Sequence, residues 1–69
     1  MFKYKIGDII YATCQIEGKK IENIILILER NKQHYKVYWI FSSYNSKNIE
    51  HRIIYLCKNT VESSYYHKI

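Results

Sequence analysis

Asn23–Glu29 reads NIILILE and Tyr35–Phe41 reads YKVYWIF, with Arg30-Asn31-Lys32-Gln33-His34 between them. Two apolar runs of strand length, rich in β-branched and aromatic residues and joined by a short polar stretch, predict a β-hairpin. In the second run Tyr35, Val37, Trp39 and Phe41 fall on one face, and Lys36, Tyr38 and Ile40 on the other. Lys36 marks the latter face as the one turned to solvent. In the first run every central position is apolar, so alternation alone does not choose a face. Taking Leu26 and Leu28 as inward partners of Val37 and Trp39 leaves Ile25 and Ile27 outside.

Upstream, Gly7-Asp8 is a turn feeding a strand over Ile9–Ile16. Its Ile10, Ala12, Cys14 and Ile16 share a face. Glu17-Gly18-Lys19-Lys20 then supplies a hairpin turn in which the glycine can take positive φ, and a second strand runs from Ile21 through Leu28. Ser42–Asn48 (SSYNSKN) has the composition of a loop. Residues 49–65 admit two readings. At helical period, Ile49, Ile53, Leu56, Cys57, Thr60, Val61 and Tyr65 form an apolar stripe, and the fold becomes a three-stranded sheet with a C-terminal amphipathic helix. At period two, Glu50, Arg52, Ile54 and Leu56 alternate with Ile49, His51, Ile53 and Tyr55 as a fourth strand. Asn59–Glu62 then makes one helical turn capped by Asn59, and Tyr65–Ile69 closes the domain as a fifth strand. The second reading is preferred, because Ile-Ile-Tyr is β-rich and three preceding strands need partners for their edges. The expected fold is all-β: a small five-stranded barrel with one short helical turn before the last strand.

Bulk properties agree with a single folded domain spanning residues 1–69. The 69 residues are 48% apolar and 25% charged, unlike a disordered segment. A chain this short buries only about 60% of the surface its unfolded form exposes, so the core is thin. The longest apolar run, Ile24–Leu28, is too short to span a membrane, and Met1–Lys5 lacks the features of a secretory signal. An intracellular or virion-associated location is expected. Cys14 and Cys57 form no paired motif and are expected to be reduced core residues. The net charge is +5, with nine lysines against two arginines. Ile, Lys, Asn and Tyr make up about half of the chain, and all four have AT-rich codons, so coding bias accounts for part of this charge.

The order of elements resembles that of small Src-homology-3-like barrels, and more narrowly of short proteins of unassigned function encoded by tailed bacteriophages. Gly7, Asp8, Ile24–Glu29, Tyr35–Trp39, the Asn59–Glu62 turn and Tyr65 carry the resemblance, which covers nearly the whole chain. It implies a fold and a binding role in a phage or virus, and names no activity. Such barrels often place a glycine ahead of the second apolar strand; Asn23 stands there, a residue that tolerates left-handed backbone.

Scattered carboxylates and three isolated histidines offer no catalytic set, and a chain this short cannot easily wall a nucleophile off from water. No enzyme is expected. Cys14, Cys57, His34, His51 and His67 lack zinc-ligand spacing, and no metal or cofactor is implied. Two binding hypotheses stand. In the first, a protein partner or a second copy packs on the outer hairpin face, with Ile25, Ile27, Tyr38 and Ile40 as anchors and Lys36 and Arg52 as rim. In the second, nucleic acid is held by Lys19, Lys20, Arg30, Lys32, Lys36, Lys47 and Arg52 with Tyr38 and Tyr44.

Overall fold

The computed structural model describes residues 1–44 and 51–69. Five strands, β1 (Ile9–Ile16), β2 (Lys19–Asn31), β3 (His34–Ser42), β4 (Ile53–Cys57) and β5 (Tyr66–Lys68), form one antiparallel sheet. A single helical turn, α1 (Lys58–Val61), joins the last two. The order across the sheet is β4-β3-β2-β1-β5, so β4 and β5 are its two edges. The strand reading of the last third therefore holds, and the amphipathic-helix reading does not. The start of that segment, including Ile49 and Glu50, lies outside the described residues.

Each hairpin turn has a local cause. Glu17 and Gly18 sit at φ 52° and 78°, the paired positive angles of a type I′ turn, whose twist matches that of the strands it joins. The β2–β3 turn is tighter than the five polar residues suggest, because Asn31 already pairs with His34 and only Lys32 and Gln33 lie between. Asn23 makes no turn at all. It is a buried residue of β2, opposite Ala12 and Ser42, in a strand that runs straight through its position. The cap of α1 also differs from expectation: Cys57, one residue before the first helical position, precedes a turn with no side-chain cap.

The core lies on one face of the sheet. Ile10 of β1, Ile25 and Ile27 of β2, and Tyr35 and Val37 of β3 are fully buried, with Trp39 beside them and Val61 of α1 closing over the layer. Tyr4 of the N-terminal arm joins this core, while Phe2, Ile54, Leu56 and Tyr66 pack at its margin. A polar knot fastens the arm. The Tyr35 hydroxyl accepts from the Tyr4 amide and donates to the Glu62 carboxylate. Glu62 also accepts from the Lys3 amide at 2.8 Å and pairs with Lys58 at 3.2 Å. Arg30 donates to the Tyr4 carbonyl and its guanidinium lies over the Phe2 ring.

Ile25 and Ile27 correct the expected facing of β2. Cross-strand partners share a face, and Ile25 lies opposite Trp39 and Ile10 while Ile27 lies opposite Val37. The two isoleucines therefore point into the core, and Leu26 and Leu28 are half-buried on the other side. Register shifts between Ile24 and Ile25 and between Ile27 and Glu29 leave Ile40 and Leu28 without direct partners, as β-bulges do.

Candidate interaction face

The sheet's outer face carries a continuous apolar band. Ile9 of β1 pairs with Leu26 of β2, Leu26 with Tyr38 of β3, and Tyr38 with Ile53 of β4, so four strands contribute to one transverse row. A second row joins Tyr11, Ile24 and Phe41. Ile9 is 41% exposed, Phe41 43%, Ile53 56% and Tyr55 59%, values unusual for large apolar side chains on one surface. An antiparallel sheet with one solvated face ordinarily shows polar residues there, whereas this one is apolar on both sides.

The polar groups on this face largely satisfy one another. The Tyr11 hydroxyl donates to Glu22 at 2.8 Å, and this bond holds the phenol's proton, raising its pKa. Lys36 hydrogen-bonds Glu29 at 3.2 Å, and that carboxylate raises the lysine's pKa. Tyr38 shares a hydrogen bond of 2.8 Å with Nδ1 of His51. His51 reaches that place through its backbone: at φ 66° it donates to the Trp39 carbonyl, while Trp39 donates to the carbonyl of Arg52. Two residues thus oppose one, the pattern of a bulge whose first position is normally glycine. Covering such a face leaves few polar groups stripped of both water and partner.

Of the predicted contact residues, Tyr38, Ile40 and Lys36 lie half-buried on this face. Ile25 and Ile27 lie beneath it, and Arg52 stands in register with Trp39 of the opposite face, so these three leave the set. Ile9, Leu26, Phe41, Ile53 and Tyr55 replace them. For Ile53 and Tyr55 the signal in the sequence is β4 itself, where they alternate with Ile54 and Leu56 and both sets are apolar; Leu26 and Phe41 read as inward from the sequence, and the β2 pairing and the bulge at Ile40 turn them outward.

The residues proposed for nucleic acid do not converge on one stripe. Lys19 and Lys20 open β2 after the β1–β2 turn, while Arg30 lies at the far end of that strand and Lys32 in the turn beyond it. Arg30 is committed to the N-terminal arm and Lys36 to Glu29. Tyr44 and Arg52 are exposed, and Lys47 lies outside the described residues.

A cavity of about 890 Å³ opens beside the C-terminal half of β1 and is lined by Cys14, Ile21, Asn23, Trp39, Tyr65 and Tyr66. The indole N–H of Trp39 is buried there and finds no hydrogen-bond partner among the described residues. Neither cysteine is a core residue: Cys14 and Cys57 are both free and exposed, because the inner face of β1 outruns the core beyond Ala12 and Cys57 ends an edge strand. Among the described residues no three of His, Cys, Asp and Glu gather as metal ligands would, and no helix is long and apolar enough to cross a membrane. Comparisons with protein-family models, with curated proteins and with solved structures find no match for this chain.

Proposed function

We propose that this protein is a non-catalytic binding module whose outer sheet face docks on a protein partner. The observation carrying this reading is the transverse row Ile9–Leu26–Tyr38–Ile53, apolar across four strands and exposed at both ends. An apolar surface of this extent, with its polar tips already paired, is what a protein interface presents at its centre. Phe41 and Tyr55 extend the anchor set, and Lys36 with Glu29 forms a rim of both charge signs. A role in a virion or a host complex remains the context that the resemblance to phage-encoded barrels supplies.

Nucleic-acid binding is the weaker alternative, since the cations available for phosphates are dispersed. It predicts affinity that falls steeply with salt.

A photo-crosslinking side chain in place of Tyr38 should capture one discrete protein species in the protein's native setting. The same probe at Asn59, exposed on α1 over the opposite face, should capture none. The double variant Tyr38→Ser/Phe41→Ser should keep its far-UV circular dichroism and abolish capture by a probe placed at Ile53. Equal capture from both positions, or capture unaffected by the double variant, overturns the proposal.

A further inference from the structure

The two edges of the sheet are defended differently. β5 is three residues long, and His67 and Lys68 are two of them, the short and charged form that discourages strand addition. β4 is five residues long, reads IIYLC, and holds neither charge nor proline. Its backbone groups alternate between β3 and the outer edge of the described sheet. Arg52 and Lys58 are bonded toward the β3 side, through Trp39 at 2.8 Å and Gln33 at 2.7 Å. In an antiparallel ladder, Ile54 and Leu56 therefore face β3 as well, and Ile53 and Tyr55 turn their N–H and C=O groups outward. Among the described residues no strand pairs with that side.

We infer that β4 is a homodimerisation edge, pairing antiparallel with β4 of a second copy about a twofold axis at Ile54. The register follows from the backbone alone. With Ile54 opposite the second copy's Ile54, Ile53 falls opposite Tyr55 and Tyr55 opposite Ile53, so the residues whose amides point outward form the hydrogen-bonded pairs. Ile54 then occupies the non-bonded position on the axis. On the outer face this sets each Ile53 beside a Tyr55, a β-branched and aromatic pair of the kind that stabilises neighbouring strands. Arg52 meets Leu56 rather than a second arginine, and Lys58 already has Glu62 as its counter-ion. A net charge of +5 thus places no like charges face to face at the contact. The row Ile9–Leu26–Tyr38–Ile53 would continue across the axis into the second copy. This pairing uses the edge and does not depend on what covers the outer face.

Sedimentation velocity over a concentration series should give a species of twice the 8.4 kDa chain mass. Three altered chains identify its interface. Synthetic protein with an N-methyl group on Tyr55 keeps every side chain and every bond to β3, and should dimerise roughly thirtyfold more weakly through loss of both symmetric hydrogen bonds. Tyr38→Ser/Phe41→Ser should dimerise normally. Ile54→Cys, in a background of Cys14→Ser and Cys57→Ser, should form a disulfide with its own copy on mild oxidation, since non-bonded antiparallel pairs set Cα atoms about 4.5 Å apart. Circular dichroism confirms that each chain is folded. A wild-type chain that stays monomeric, a dimer indifferent to N-methylation, or a dimer that Ile54→Cys does not trap overturns the inference. Loss of the dimer only in Tyr38→Ser/Phe41→Ser assigns it to the outer face instead.

Discussion

Tyr35 shows how one side chain can serve both packing and polarity. Its ring is fully buried between the sheet and the N-terminal arm, in edge contact with Phe2, and its hydroxyl joins the Tyr4 amide to Glu62. Burial, reinforced by the Glu62 carboxylate, pushes its pKa up to about 12 from an ordinary 10.0. A phenol whose folded-state pKa is raised stabilises the fold fully below its unfolded value, and that contribution is lost as pH climbs from 10 toward 12. Glu62 behaves in the opposite sense. Its own burial would raise its pKa, but bonds from Lys3, Tyr35 and Lys58 together hold it below the ordinary 4.5. Its contribution is present above that value and fades as pH falls through the depressed one. Tyr35→Phe should cost about 1–3 kcal/mol in urea unfolding at neutral pH, with two hydrogen bonds lost and Glu62 left short of a donor. The same variant should flatten the decline in stability between pH 10 and 12.

At the scale of elements, strands were more legible than faces. Ile9–Ile16, Tyr35–Phe41 and the Gly18 turn could be read because β-rich runs end at residues with turn chemistry. The facing of β2 could not, since NIILILE is apolar at every central position and only its partners, Val37 and Trp39, decide which isoleucines enter the core. The candidate site inherited that error at Ile25 and Ile27 and escaped it at Tyr38 and Ile40, where Lys36 marked the outer side. Asn23 misled for a related reason: a residue that favours turns was instead held in a strand by pairing on both sides. Lys32 is the converse case, a long side chain held at φ 49° because the β2–β3 hairpin leaves it no other angle. Replacing it with glycine should raise stability by about 0.5–1 kcal/mol through relief of that strain, measured as a higher urea midpoint at unchanged m-value. A lower midpoint would show that the lysine side chain itself contributes there.

For the molecule as a whole, the described residues present the proposed outer docking face, the proposed β4 pairing edge and, apart from both, the cavity beside Trp39. The first two meet at Ile53 and Tyr55, which lie on the outer face and turn their amides to the edge. The knot on Glu62 bears on a different property, the order of folding. Lys3 and Glu62 are 59 positions apart in the chain, and Tyr4 and Tyr66 are 62 apart. Closing a loop of that length costs chain entropy before any contact returns it, so the β1–β2 and β2–β3 hairpins should form first and the arm should lock last. Glu62→Gln should then speed unfolding and leave the refolding rate nearly unchanged, the mark of a contact absent from the transition state. Stopped-flow chevrons test this, and a slowed refolding limb would place the knot in the nucleus. With refolding unchanged, the lifetime of the folded protein rests on a clasp joining Lys3 and Tyr4 to Glu62 and Tyr66, made after the sheet is already in place.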